Sequence, residues 1–199
     1  MRRNIALMVG ILLVLLSVEL PGTAQATQLL FMSPQDLGRE APLFVRGRVQ
    51  SAESYWNSTH TKIFTRTTIV VDETYKGSAG PTVEIVQLGG TVGNIKVSVQ
   101  GALQWRLGEE VLLFAEPYDA AAFQVSGFSQ GKFVIERDPA TGVAYVQAPV
   151  VDGVRLLGAP TPAATDGQAS SRAGQEQRLT VDEFVNRALG HSADQGVER

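Results

Sequence analysis

The strongest constraint on the fold is a succession of short apolar segments between residues 43 and 147, separated by glycine-containing turns. In "IFTRTTIVVDETYKG", every second residue from Ile63 to Val71 is a β-branched residue. This period of two is typical of a strand that buries one face. Segments of this kind recur at intervals of about 8–15 residues, with almost no helical pattern between them. The sequence therefore predicts a mostly β protein built on a small, antiparallel, partly open barrel of about six to eight strands.

Two short helices are predicted to flank the strands. Ser33 can cap the first helix, and Pro34 suits its first position. The second helix is predicted over residues 179–190, where Thr180 and Glu183 fit a capping box. Its apolar stripe should dock on the barrel or on a partner, because a helix this short is marginal alone. The stripe supplies four candidate partner-binding residues: Val181, Phe184, Val185 and Leu189.

The two ends of the chain differ in composition from the strand-rich region. Residues 1–26 combine two arginines, an apolar run from Ile5 to Val18 and a small-residue site that ends at Ala26. This is the pattern of a secretory signal peptide, and the apolar run is shorter than the roughly 20 residues that span a bilayer. Residues 27–150 are predicted to form the β-barrel domain, and residues 151–178 a flexible linker. We therefore expect an exported protein, periplasmic or extracellular, without a stable membrane span after cleavage near Ala26.

Composition argues against several kinds of partner and chemistry. The chain has no cysteine, so it can form neither disulfides nor a reactive thiolate. Its formal net charge of −3 becomes −4 without residues 1–26, which hold two arginines and one glutamate. Nucleic acid is therefore not an expected partner. Neither histidine, His60 or His191, has a second histidine or cysteine at ligand spacing, and we predict no metal or cofactor site.

The segment "QLGGTVGNIKVSVQ" raises the question of a phosphate-binding loop, since Gly89, Gly90 and Gly93 follow an apolar run. Their spacing fits neither G-x-G-x-x-G nor G-x-x-x-x-G-K-[ST]. Loops of those types place the phosphate at a helix N-terminus, whereas the residues from Ile95 to Gln100 alternate as in a strand. We interpret the glycines as a hairpin or barrel corner that needs positive φ angles.

The segment Gly127–Gly131 fits the G-x-S-x-G motif of serine hydrolases, with Ser129 as the nucleophile. Several aspartates and then His191 follow in the chain order of the α/β-hydrolases, so a serine hydrolase using Ser129 and His191 is one alternative function. The motif requires a turn from a strand into a helix, whereas "KFVIERD" after it has the pattern of a strand. The plainer interpretation is a turn between two antiparallel strands.

Three aromatic residues, Tyr55, Trp56 and Trp105, lie in or beside predicted loops. Exposed aromatic residues on loops that connect strands can form a binding face. The same residues can instead cap the ends of a barrel core. Under the first interpretation they are candidate partner-binding residues.

The order of the blocks "VRGRV", "TYKG", "QLGGTVGN", "GEEVLLFAEP" and "GFSQGKF" resembles a family of uncharacterised exported bacterial β-rich proteins. The match covers about half of the chain, and it implies export and a β fold but no activity. The strand order is also similar to the OB-type barrels of netrin-like and protease-inhibitor domains. Those domains use an N-terminal cysteine, which this chain lacks. The missing cysteine argues against inhibition of a metalloprotease by that route. For the fold, the resemblance in strand order implies an OB-like barrel.

These observations favour a non-catalytic binding or structural protein of the bacterial envelope or extracellular space. Its expected partner is an extracellular or envelope protein, and the oligomeric state is left open. Two alternatives stand beside this hypothesis. One is the serine hydrolase, and the other is an inhibitor or accessory subunit of an exported protease, which follows from the OB-type resemblance alone.

Overall fold

Strands dominate the part of the chain that the computed structural model describes, namely residues 27–147, 149, 154–159 and 178–191. The strands are β1 (Thr27–Leu30), β2 (Leu43–Trp56), β3 (Ile63–Lys76), β4 (Thr82–Leu88), β5 (Gly90–Val92), β6 (Ile95–Val97), β7 (Glu110–Pro117), β8 (Phe123–Val125), β9 (Lys132–Arg137), β10 (Ala144–Gln147) and β11 (Val154–Leu157). The helices are α1 (Pro34–Glu40) and α2 (Val181–Leu189). The prediction of a mostly β fold with a short N-terminal and a C-terminal helix is confirmed.

Seven strands form one largely antiparallel sheet in the order β10-β9-β7-β2-β3-β4-β8. Because β8 also pairs with β7, the strands β2, β3, β4, β8 and β7 close partly into a ring. The closure is narrow, since β4 and β8 meet in parallel at the single residue pair Ile85 and Phe123. The predicted leader, residues 1–26, lies outside the described residues. No helix in the described part of the chain has the length and apolar character needed to cross a membrane.

Both glycine-marked corners lead from one strand into another. Gly93 and Asn94 form the two-residue turn between β5 and β6, and Gly93 has a φ angle of 58°. A φ angle of this sign favours glycine, which has no Cβ to collide with the backbone. The turn at Gly127–Gly131 leads into β9. The prediction that these corners join strands, and that neither opens a helix, is confirmed.

The sheet buries apolar residues on both of its surfaces. Inside the ring, the inner core consists of Leu43, Val45, Val49, Ile69, Val83, Ile85, Val111, Leu113, Ala115 and Val125. On the outer surface of β2, β7 and β9, a second cluster includes Phe44, Leu112, Phe114, Phe133 and Ile135. We call this second surface the covered face, because α1 and α2 pack on it.

Helix α2 completes the covered face. The ring of Phe184 lies 4.6 Å from that of Phe133 and 6.3 Å from that of Phe114, measured between centroids. Val181 and Val185 are buried in the same cluster, and Leu189 is partly buried against it. Of the two alternatives left open by the sequence, the structure shows α2 docked on the protein's own sheet. It corrects the interpretation of Val181, Phe184 and Val185 as partner-binding residues, since buried side chains are not free to contact a partner.

Local signals fix both helices, and a glycine lets them meet. Ser33 caps α1 and Thr180 caps α2, as the sequence predicts. Both do so through a capping box, which the sequence predicts only for Thr180. The helices approach so closely that a Cβ on Gly38 would overlap the carbonyl oxygen of Ala188. Gly38 weakens α1 as an isolated helix, but the packing of α1 on α2 requires it.

Residues 154–157 differ from the prediction of a flexible linker over residues 151–178. They form β11, which pairs in parallel with β1 at the start of the domain. The N–H of Phe31 extends this pairing by donating to the carbonyl of Leu157 at 2.8 Å. A four-residue strand is too short to show a lasting alternation, so the sequence gives little sign of it. Most of the remaining linker range lies outside the described residues.

A cluster of charged side chains lies beside the apolar residues of the covered face. Glu110 is only 9% exposed and accepts hydrogen bonds from Nε of Arg46 at 2.8 Å and from Nη2 of Arg137 at 3.0 Å. Burial acts to raise the pKa of Glu110, but the hydrogen bonds and charges of the two arginines outweigh it and hold that pKa below its ordinary value. The carboxylate therefore stays ionised as the counter-ion of both arginines.

Candidate ligand-binding site

The outer surface of β3 and β4 is the counterpart of the covered face, but neither α1 nor α2 belongs to it. Phe64 and Arg66 project from this surface, on the opposite side of β3 from the buried Ile63 and Thr65. Antiparallel pairing places Leu88 of β4 opposite Phe64. We call this surface the open face.

Three aromatic rings form a row across the open face. Phe64 lies between Tyr55 of β2, at 6.2 Å between ring centroids, and Tyr118, at 6.4 Å, in the loop between β7 and β8. The guanidinium of Arg66 lies 5.2 Å from the centre of the Tyr55 ring. The row is thus assembled from three separate segments of the chain. Rings with accessible faces offer large, rigid contact area to a ligand.

A cleft of about 340 Å³ opens beside this row, and we call it the aromatic cleft. Its apolar lining includes Phe64, Val86, Leu88, Tyr118, Val125 and Phe128. Leu88, Tyr118 and Phe128 are 41%, 45% and 46% exposed, respectively. A concave site lined mainly by apolar and aromatic side chains, with a few polar groups, is typical of ligand pockets.

The polar groups of the aromatic cleft are Gln87, Glu116 and Gln124. Gln87 is engaged within the protein, because its Nε2 donates to the carbonyl of Leu103 at 3.0 Å and its Oε1 accepts from Trp105 at 3.1 Å. Nε2 of Gln124 donates to Oε1 of Glu116 at 2.7 Å. Glu116 is the charged side chain among the lining residues, which gives the cleft an acidic side.

A tight turn holds Phe128 at the cleft. Its φ angle of 69° lies in the left-handed region, which costs a residue with a Cβ about 1–2 kcal/mol. The turn is closed by the N–H of Gly131, which donates to the carbonyl of Ser126 at 3.0 Å. The strained residue thus presents a large apolar side chain to solvent. Residues in such conformations concentrate at ligand-binding and catalytic sites.

The structure does not assemble the hydrolase alternative. Ser129 is 2% exposed, and its Oγ has no hydrogen-bond partner among the residues described. His191 is exposed just after α2 and lines a different surface hollow, with Gln35 and Asn186. A serine nucleophile needs a base within hydrogen-bond reach. The geometry gives no support to catalysis by Ser129 and His191.

Trp105 caps one end of the inner core, which is the second of the two interpretations made from the sequence. Its indole packs against that core, and its Nε1 donates to Gln87. Nζ of Lys132 lies 4.7 Å from the ring centroid and also donates to the carbonyl of Gln104 and to Oε2 of Glu109, both at 2.6 Å. Burial lowers the pKa of Lys132, although Glu109 favours the charged form. We therefore leave Trp105 outside the candidate site.

Tyr55 and Trp56 lie where β2 runs into its hairpin with β3. Tyr55 belongs to the aromatic row, whereas Trp56 stacks on His60 with 6.2 Å between ring centroids. Asn57 fixes the connecting loop, because its Oδ1 accepts two backbone N–H groups of that loop at 2.8 and 3.0 Å. This end of the open face is therefore ordered before any ligand arrives, which lowers the entropic cost of binding.

The sequence identified Tyr55 but missed Phe64, Tyr118, Phe128 and Glu116. Two signals could have found members of this set. Phe64 is a large apolar residue on the solvent-facing side of an alternating strand, and Phe128 is one inside a glycine turn. Tyr118 and Glu116 gave no such signal, because only the fold brings them beside Phe64.

Two comparisons with known proteins found no match to this sequence. No protein-family model matches the sequence. No curated protein matches it significantly. Within the described ranges, no group of three or more His, Cys, Asp or Glu side chains is placed to hold a metal ion. The aromatic cleft itself is therefore the feature from which a function can be inferred.

Proposed function

We propose that this chain is an exported, non-catalytic binding protein of the bacterial envelope or extracellular space, and that the aromatic cleft is its binding site. The observation that carries this proposal is the set of aromatic side chains around a concave, mainly apolar cleft, namely the half-buried Phe64 and the exposed Tyr118 and Phe128. Exposed apolar surface of this kind marks interaction sites in soluble proteins.

The strand order supports the proposal through a likeness to the OB fold. Counted as first to fifth, β2, β3, β4, β7 and β8 form the partly closed ring. OB domains bind ligands on the face of their second and third strands, beside the loops after strands one and four. The aromatic cleft is lined by Phe64 of the second strand, Leu88 of the third and Tyr118 after the fourth. An OB-like assignment thus accounts for the position of the cleft.

Export is proposed from the sequence of residues 1–26. Its positive end, short apolar run and small-residue site are those of a cleavable leader. Fusion of residues 1–26 to a reporter enzyme that is active only outside the cytoplasm tests this part directly. An active fusion supports export, and activity equal to that of a leaderless reporter contradicts it.

The binding site is tested by recording amide NMR spectra of the purified protein while short peptides and neutral oligosaccharides are added. We expect a binding compound to shift the amide signals of Phe64, Leu88, Tyr118 and Phe128. Phe64→Ser should abolish the shifts, whereas Leu107→Ala, which removes an exposed side chain elsewhere, should preserve them. Shifts confined to residues around Trp105, or equal binding by Phe64→Ser, would show that the site lies elsewhere.

A further inference from the structure

A second hollow, of about 570 Å³, adjoins the aromatic cleft. The first residues of the domain and α1 form one wall of this hollow, which is lined by Leu30, Phe31, Asp36 and Glu40 among others. Glu116 and Phe128 line both concavities, so the two lie on either side of these side chains. A ligand long enough to pass Phe128 can occupy both at once.

The adjoining hollow has an acidic lining. The described lining residues of this hollow carry one cation, Arg39, and three carboxylates, those of Asp36, Glu40 and Glu116. Arg39 is already paired, at 2.6 Å with Asp36 and at 3.6 Å with Glu40. The acidic excess disfavours phosphate and carboxylate groups and favours a cation. The neighbouring cleft instead offers apolar surface.

The wall between the two concavities is held in place. Gln130 is buried, its Oε1 accepts the N–H of Met32 at 2.9 Å, and its Nε2 donates to the carbonyl of Leu30 at 2.9 Å. This side chain therefore ties the turn that carries Phe128 to the segment after β1. The two concavities keep a fixed relation to each other, as a site for a two-part ligand requires.

We infer that the aromatic cleft and the acidic hollow form one site for an extended polypeptide segment in which a large apolar side chain stands next to a lysine or arginine. This inference rests on the proposed function and names its ligand class. The apolar side chain of the ligand enters the aromatic cleft between Phe64 and Phe128. The basic side chain of the ligand lies in the adjoining acidic hollow and contacts Glu116, which lines both concavities. A nucleic acid would bring phosphates to an acidic wall, and a neutral oligosaccharide would bring no positive charge to balance the acidic excess.

The test is calorimetric titration of the purified protein with three blocked octapeptides that differ at two central positions. Their centres are Phe-Lys, Phe-Glu and Ser-Lys, within a common Gly/Ser frame. We expect the Phe-Lys peptide to bind, the Phe-Glu peptide to bind about tenfold more weakly, and the Ser-Lys peptide to show no measurable binding. The preference for Lys over Glu should shrink as the salt concentration rises.

Two variants and a control assign the result to the site. Glu116→Gln should bring the affinities for the Phe-Lys and Phe-Glu peptides to within about threefold of each other. Phe128→Gly should lower the affinity for the Phe-Lys peptide by about tenfold. The protein should stay folded, because glycine accepts the positive φ angle. Leu107→Ala, at an exposed apolar side chain outside both concavities, should change neither affinity.

The possible failures separate this inference from the proposed function. Equal binding of the Phe-Lys and Phe-Glu peptides, lost in Phe128→Gly, would overturn the basic requirement but keep the cleft as a binding site. If no peptide binds but NMR maps an oligosaccharide to the cleft, the ligand class is wrong and the cleft remains a binding site. Absence of any compound that maps to the cleft would overturn both.

Discussion

The covered face and the open face are two outer surfaces of one sheet, and both carry aromatic side chains. On the covered face, Phe44, Phe114 and Phe133 lie beneath the helices, and none is more than 5% exposed. Beside the open face, Tyr118 and Phe128 are 45% and 46% exposed. The two regions differ in whether a helix covers them, more than in the residues that the strands supply.

The covered aromatic residues stabilise the fold, whereas those beside the open face are available to a ligand. Burying a Phe or Tyr side chain under a helix removes a large apolar area from water and stabilises the fold. The accessible rings of the open face gain less from folding, and Phe128 adds backbone strain. Such an arrangement is expected where the side chains meet a ligand, because binding then supplies the missing burial.

We expect the largest change in stability from a substitution on the covered face. Phe184→Ala should lower the free energy of unfolding by about 3–5 kcal/mol, because the truncated ring leaves a cavity beside Phe114 and Phe133. Urea unfolding followed by circular dichroism measures this change. Asn186→Ala, at an exposed position of the same helix, is the control and should cost little. A loss of under about 1 kcal/mol for Phe184→Ala would mean that α2 does not dock on the sheet.

Glu110→Gln tests the charged cluster beside the covered face. It should lower the free energy of unfolding by about 2 kcal/mol at neutral pH, since the charge-assisted hydrogen bonds from Arg46 and Arg137 are weakened. The pKa of Glu110 is held below its ordinary value of 4.5. Its contribution to the free energy of unfolding is therefore complete above pH 4.5, and it is lost as the pH falls through the lowered pKa. Thermal unfolding between neutral pH and strong acid should therefore show a smaller acid loss in Glu110→Gln than in the unmodified protein. Parallel curves for the two proteins would contradict this account.

Gly38→Ala should destabilise the protein by about 1–2 kcal/mol, because the new methyl group meets the backbone of Ala188. In an exposed helix the same change stabilises by about 0.5–1 kcal/mol, so the sign of the effect reports the contact between α1 and α2. Gly80→Ala is a matched control, since the nearest atom to its Cβ is 3.8 Å away. A gain in stability for Gly38→Ala would show that the two helices lie further apart.

The smallest expected effect on stability belongs to the open face. Phe128→Gly should change the free energy of unfolding by under about 1 kcal/mol, because the backbone strain that is removed offsets the partial burial that is lost. Differential scanning calorimetry measures this change. A loss of stability as large as that expected for Phe184→Ala would show that the two faces contribute equally to stability.

Several features were predictable because their causes are local. The alternation from Ile63 to Val71 predicts β3, and the capping residues Ser33 and Thr180 mark the starts of both helices. The glycine corner at Gly93 follows from the strand pattern on both sides of it. Each of these signals depends on residues only a few positions apart, whose backbone preferences act before any long-range contact forms.

Other features had no local signal. From the sequence alone, α2 could dock on the sheet or on a partner, because an apolar stripe does not specify the surface that it meets. Local composition predicts a linker where β11 lies, since the pairing of β11 with β1 joins opposite ends of the domain. Local propensity disfavours Gly38 in a helix, and only the contact with Ala188 explains why glycine is needed there.

Local patterns account for most of the strands, the glycine corners, the helix starts and the absence of cysteine chemistry, because period, φ preference, capping and composition belong to short segments or single residues. Which aromatic residues are covered and which remain accessible depends instead on how distant segments pack in the folded chain. Phe64, Tyr118 and Phe128 come from separate segments, and they line one cleft only after the ring of strands has partly closed. Burial depends on what packs over a side chain, and the residues that pack there come from distant parts of the chain.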